Sequence, residues 1–300
     1  MHYSNPFIIN SPVIESSMFV GRQRSLTNLW RWSAKPGTSP VLFLEGPSGI
    51  GKTSLLFRFR EGAFGSYLVP VIVDSSKLPL ESPAEFLWML AKQIKEGFQN
   101  QQLEVPDFEK SIVVLRPWEA FRDQFWKKLP HYLDDKILVL AMDNFDSFFA
   151  SKALRDEFSM FRKYLMLLLN DYNQARAIFV IKGRAHAYTD KLLSPFNRFQ
   201  SDRLRTFSYA ESVELMNRAR NFPVYRDVAD LIFTITSGNP GDIQRLCHVL
   251  YERIASGKIN QLAMSDVISI LDVELAPKDF HTNVYGRYGK FYKEYALSLQ

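Results

Sequence analysis

The sequence predicts an α/β fold, a five-stranded parallel sheet between helices, followed by a small all-α domain. From residue 40 to about 207, short aliphatic or β-branched runs alternate with longer amphipathic stretches, the pattern of parallel strands covered by helices on both faces. After about Tyr209 the strand signal stops and only helical patterns follow. The 300 residues, 46% hydrophobic and 23% charged, have the composition of an ordinary folded chain with one large core or two modest ones.

The expected strands are 41–45, 68–74, 137–142, 177–181 and 204–207, short and almost free of charge, as central parallel strands are. A helix over 53–60 follows the first strand. The next runs from 82 to 98, with Ser82 as its cap and Pro83 in the first turn. Over 117–133, Trp118, Phe121, Phe125 and Leu129 share one helical face, and a further helix covers about 152–172. Residues 99–116 form a polar connection. The second domain is expected to hold helices at 210–221, 226–236, 242–255 and 265–273. In the last stretch Tyr285, Tyr288, Tyr292 and Tyr295 form one stripe with Arg287, Lys290 and Lys293 between them, read as a packing face in preference to a strip for stacking nucleic acid. The organisation expected is an N-terminal arm at 1–18, an α/β domain at 19–209, a helical domain at 210–275, and a tail at 276–300. That tail begins a further domain or forms a partner-binding helix.

Composition excludes several chemistries. Cys247 is the sole cysteine, so neither an intrachain disulfide nor a cysteine-based zinc cluster can form. His2, His131, His186, His248 and His281 lack ligand spacing. The first ten residues carry no leader pattern and no run of about eighteen apolar residues occurs, which predicts a cytoplasmic protein with no membrane partner. Against 32 acidic residues stand 37 Lys and Arg, a net charge of +5 that is far from the dense basic stripe of a dedicated nucleic-acid binder.

The strongest motif is Gly46-Pro47-Ser48-Gly49-Ile50-Gly51-Lys52-Thr53, which fits G-x-x-x-x-G-K-[ST] between a predicted strand and a predicted helix. This marks the chain as a P-loop NTPase. Its glycines let backbone N–H groups turn toward a β-phosphate, Lys52 neutralises β- and γ-oxygens, and the Thr53 hydroxyl ligates Mg²⁺, with Ser54 completing the nucleotide-binding run. Asp143, at the end of an apolar strand, supplies the carboxylate for the magnesium shell. Asn144 follows it, and an amide orients water but accepts no proton, so hydrolysis is expected to be slow unless Asp146 serves as the base. Arg184, after the fourth strand, and Arg198, before the fifth, are read either as cations for a γ-phosphate or as surface ion-pair residues. Arg184 would act within the chain and Arg198 toward a neighbouring subunit.

With these residues in view, the chain resembles the signal-transducing (STAND) branch of AAA+-related P-loop ATPases, the bacterial and archaeal AAA-like domains, over about residues 6–275. The resemblance rests on Asn5-Pro6-Phe7 with Phe19-Val20-Gly21-Arg22, the P-loop, Met142-Asp143-Asn144-Phe145-Asp146, Gly183-Arg184, and Ser237-Gly238-Asn239-Pro240. It implies that Val20, Gly21 and Arg22 line the adenine side, that Pro240 packs near the base from a helical lid, and that the fourth strand lies between the first and third. It also implies that Arg184 is a sensor arginine, that Asn197-Arg198-Phe199 is an arginine-finger region, and that Asp146 has a role. The lid departs from the family's Gly-Asp-x-Arg: Gln244 stands in the arginine position and Arg245 comes about 100° further round the helix.

The leading functional expectation is a molecular switch that binds ATP or ADP with Mg²⁺, hydrolyses slowly, and self-assembles or binds a partner protein in the ATP state. The second is a DNA-acting AAA+ ATPase similar to transposition or replication-initiator regulators. The third is a scaffold that holds nucleotide as a structural ligand.

Overall fold

The computed structural model describes residues 5–35, 39–63, 66–79, 82–110, 116–147, 169, 174–185, 199–218 and 222–298. The chain divides into two compact units. One comprises Gln23–Gly46 and Leu55–Arg203, and the other Met1–Arg22, Pro47–Ser54 and Leu204–Gln300.

The first unit is built on a five-stranded parallel sheet, β1 (Val41–Glu45), β2 (Leu68–Asp74), β3 (Ile137–Asp143), β4 (Ala175–Ile181) and β5 (Gln200–Arg203), in the order β2-β3-β4-β1-β5. The fourth strand lies between the first and third, as the resemblance implies. All five residues of β1 and all seven of β4 are buried, because parallel strands covered on both faces have no solvent side. The register pairs Glu45 with Ile181 and Asp74 with Asp143, so β1 and β4, and β2 and β3, each end level. That end is where a doubly covered parallel sheet presents its loops to ligands.

Two sequence expectations change here. The fifth strand is Gln200–Arg203, four residues upstream of the apolar run at 204–207. It lies at the sheet edge, where a solvent-facing side allows polar side chains, while Leu204 and Phe207 are buried in the second unit. The expected continuous helix over 117–133 is segmented into Pro117–Ala120, a wide turn at Phe121–Phe125, a tight turn at Trp126–Lys128, and Leu129–Leu133. Pro130 removes a backbone donor there, and the change of winding brings Phe121, Phe125 and Trp126 all into the core at 1–2% exposure. The helix expected at about 152–172 lies outside the described residues, apart from the buried helical Leu169. Helix α1 (Gln23–Ala34), not anticipated from the sequence, precedes β1, and α3 (Pro83–Gln99) begins at Ser82, whose hydroxyl accepts the Glu85 N–H.

Between α1 and α3 runs α2 (Lys52–Gly62), which starts from the glycine-rich turn. The second unit contains α4 (Tyr209–Met216), α5 (Arg226–Thr236), α6 (Pro240–Ala255), α7 (Met264–Val273) and α8 (Val284–Ser298). Its core gathers Phe7, Val20 and Phe222 with Ile232, Ile243, Leu246 and Leu250. The arm is therefore part of this core: the Phe7 ring meets Phe222 edge-on with centroids 5.1 Å apart. Tyr285 and Tyr288 of α8 pack against the same cluster. No helix among the described residues is long and apolar enough to cross a membrane.

Candidate nucleotide site

The glycine-rich turn leaves β1 at Gly46, whose N–H donates to the Ile181 carbonyl and so closes the end of the sheet. Beyond it the backbone takes left-handed values, φ +71° at Gly49 and +92° at Gly51, which side chains disfavour. Three successive carbonyls of the turn are held from outside. The Ser48 oxygen accepts Nδ2 of Asn239 at 3.2 Å, the Gly49 oxygen accepts the Gly241 N–H at 3.0 Å, and the Ile50 oxygen accepts Nη2 of Arg22 at 2.7 Å. In a trans peptide the C=O and the following N–H point to opposite sides. The N–H groups of Gly49, Ile50 and Gly51 are thereby turned away from those partners, in the arrangement of an anion-binding nest. Lys52 folds back so that Nζ donates to the Pro47 carbonyl at 2.9 Å, and Thr53 and Ser54 continue α2. The Ser54 hydroxyl accepts the Val13 N–H at 3.0 Å, which seats the arm on this helix.

The groups that grip the turn are themselves fixed. Asn239, fully buried, caps α6 by accepting the N–H groups of Gly241 and Asp242, and Pro240 takes the first helical position. Arg22 adopts φ +69° beside Gly21 at +61°, donates to the Arg205 carbonyl, and lies over the Phe207 ring at 4.6 Å. Val20 is in the core. Arg22 and the turn of Pro240 thus meet the glycine-rich turn within one unit. Asp242, also fully buried, accepts the His281 N–H at 2.7 Å and the Thr282 hydroxyl at 2.6 Å. The His281 ring rests on Gly49 and Gly241: a Cβ added at Gly49 would lie 2.1 Å from its Cδ2.

In the sheet unit, the ends of β2, β3 and β4 carry the other candidates. Asp143 is 4% exposed and accepts the Asn144 N–H at 2.9 Å. Asp146 is turned to β4, where its Oδ2 accepts the Lys182 N–H at 2.7 Å. Arg184 is exposed in the segment after β4, and the neighbouring Ala185 N–H is held by the buried Glu45 carboxylate. Arg198 lies outside the described residues. Asp74, at the end of β2, accepts Nδ2 of Asn144 at 3.1 Å together with the Ser76 N–H and hydroxyl. Burial pushes its carboxyl up, but these hydrogen bonds and nearby Lys77 prevail and hold it below the ordinary range.

Asn239, Asp242, His281 and Asp74 were not among the sequence candidates. Asn239-Pro240 ahead of a helical pattern is a readable cap signal, and Asp74 ends an apolar strand just as Asp143 does. Nothing local marks His281.

An AAA-like domain model matches residues 9–269. No curated protein matches the chain. Among solved structures, the chain is similar to the Aeropyrum pernix ORC2 protein in its ADPNP-ADP complexes, at 16% identity and a TM-score of 0.57, covering 89% of this chain and 70% of that one. Drosophila ORC bound to DNA gives 14% identity and a TM-score of 0.58, with 87% and 68% covered. The Aeropyrum pernix ORC1 protein in complex with DNA gives 16% and 0.53, with 84% of this chain covered and 64% of that one, so this chain spans less than two thirds of that relative's length.

Proposed function

Because the chain belongs to the AAA-like domain family, we propose that it is an ATP-binding switch that hydrolyses its nucleotide slowly and controls self-assembly or partner binding. The observation that carries this reading is the phosphate loop, with three carbonyls tied outward and the intervening N–H groups turned the other way. Lys52 follows as the cation for the phosphates. The donors Thr53 and Asp143, a hydroxyl and a carboxylate, are the hard oxygen ligands that Mg²⁺ takes, and the metal when bound would neutralise charge on the β- and γ-oxygens. Arg184 and Arg198 are proposed as further cations for the γ-phosphate, with Arg198 acting across subunits.

The test is nucleotide titration of the wild type and of Lys52→Ala, followed by light scattering with ADP and with a non-hydrolysable ATP analogue plus Mg²⁺. Binding lost in Lys52→Ala, and mass growth only with the ATP analogue, support the switch. Equal affinity in both proteins removes the site. An unchanged mass removes assembly.

A second reading, a DNA-acting ATPase, is favoured by the fold likeness to ORC proteins solved with DNA and by the pI near 9.1. It predicts duplex binding that weakens steeply with salt and strengthens with ATP. No retention on DNA at low salt eliminates it.

A further inference from the structure

Glu211, in the first turn of α4, engages only one of its two carboxylate oxygens. Its Oε2 accepts the Ser208 N–H at 2.8 Å and the Ser208 hydroxyl at 2.9 Å, closing a capping box that fixes the plane of the group. Among the described residues Oε1 accepts no hydrogen bond. It is nevertheless held in one place. A Cβ on Gly21 would collide with it, so the missing side chain there lets the oxygen come up against the Gly21 backbone. Arg22, next in sequence, reaches the Ile50 carbonyl at 2.7 Å and lies over the Phe207 ring. The Phe207 N–H in turn donates to the carbonyl of Gly238, beside the Asn239 that holds Ser48. All of these residues lie in one compact unit. Glu211 Oε1 and the glycine-rich turn are thus separated by about the reach of one arginine side chain, as a base is separated from the β-phosphate of a nucleotide by its ribose and α-phosphate.

We propose that Glu211 selects the base of the bound nucleotide, its Oε1 accepting a hydrogen bond from the exocyclic amine of adenine. The inference rests on the nucleotide-binding reading above. A carboxylate offers acceptors only. It pairs with the 6-amino group of adenine and repels the 6-oxo group that guanine and hypoxanthine carry in the same place. A site built to accept from a ligand donor rejects the analogue that lacks it, because its own acceptor is then left unpaired. Glu211 is half-buried, so water compensates in part. The expected discrimination is therefore about tenfold, the lower end for one hydrogen bond to a charged group.

The experiment compares equilibrium binding of ATP and of ITP, which replaces the 6-amino group by a 6-oxo group, to the full chain as wild type, Glu211→Gln and Glu211→Ala, with urea midpoints as a fold control. The wild type is expected to bind ATP about tenfold more tightly than ITP. Glutamine keeps the capping box, its amide oxygen turned to the two Ser208 donors, and so places an NH₂ group where Oε1 stood. Glu211→Gln should therefore weaken ATP and strengthen ITP, levelling or reversing the ratio. Glu211→Ala presents neither group and should level the ratio by weakening ATP alone. If Glu211 serves only as a cap, its variants lower the urea midpoint and the affinity for both nucleotides alike, and that result overturns the proposal. ATP and ITP bound equally by the wild type, or an unchanged ratio in Glu211→Gln, overturns it while nucleotide binding stands. Binding of neither nucleotide by the wild type overturns the nucleotide reading and this inference with it.

Discussion

Replacing Asn239 separates two tasks that one side chain performs. Its oxygen caps α6 through the Gly241 and Asp242 N–H groups, and its nitrogen holds the Ser48 carbonyl at 3.2 Å. Serine caps as well as asparagine but cannot reach Ser48, so Asn239→Ser removes only the bridge. Asn239 is fully buried but Ser48 is half-buried, so water replaces the amide in part and the loss is about 1 kcal/mol, that of one hydrogen bond. Asn239→Ala removes the cap as well, a further loss of about 1 kcal/mol. Urea denaturation at constant m should rank wild type, serine and alanine in that order. Hydrogen exchange should speed up over residues 46–53 in both variants. If Asn239→Ser matches the wild type in midpoint and in loop exchange, the amide is a cap alone, and the claim that the lid positions the phosphate loop fails.

Three more outcomes follow from the geometry. Gly49→Ala places a side chain at φ +71° and 2.1 Å from His281, costing at least about 1 kcal/mol for the backbone alone. Adding His281→Ala should recover part of the urea midpoint, and no recovery would show that the ring does not rest on the loop. Burial raises the Cys247 thiol well above its ordinary value, so iodoacetamide at pH 8 should leave it unmodified until urea unfolds the helical unit, as mass spectrometry would report. The Asp74 carboxyl titrates below its unfolded value, so its contribution is complete above about pH 4 and lost as pH falls through the folded value. Asp74→Asn should make the acid limb of stability shallower, and an unchanged limb would show that its hydrogen bonds are absent in solution.

Much of this was legible in the sequence where one local signal sufficed. β1 and β2 were recovered at their full extent because buried parallel strands read as uninterrupted apolar runs. The glycine-rich turn between β1 and α2 was legible because its glycines, lysine and hydroxyl are contiguous. β5 was misplaced because an edge strand lacks that apolar signature, while Leu204 and Phe207 belong to the other unit. Asp74 and Asn144 are 70 positions apart, and only the register of β2 on β3 makes them neighbours. His281 meets Gly49 through contacts of the tertiary fold that no spacing rule encodes.

Two helix N-termini converge on the phosphate loop within one unit, and they are not equivalent. Both leave N–H groups that favour negative charge. In α6 those groups are already answered: Asn239 caps the first turn, Gly241 donates to the Gly49 carbonyl, and the buried Asp242 carboxylate stands in that same turn. The first turn of α2 contains no acidic residue and opens with Lys52. Two longer side chains of α6 are turned to the arm, Gln244 accepting the Ile8 N–H at 2.8 Å and Arg245 donating to Asn10 at 2.7 Å. On the nucleotide-binding reading proposed above, α6 would contribute to the anion site by holding loop carbonyls, with Gln244 and Arg245 engaged elsewhere. On that reading an entering phosphate would be directed to α2. It follows that Asp242→Asn, which removes the carboxylate from the α6 terminus, should leave nucleotide affinity far less changed than Lys52→Ala does, while lowering the urea midpoint. Equal losses of affinity would place α6 in the anion site and refute this division of roles.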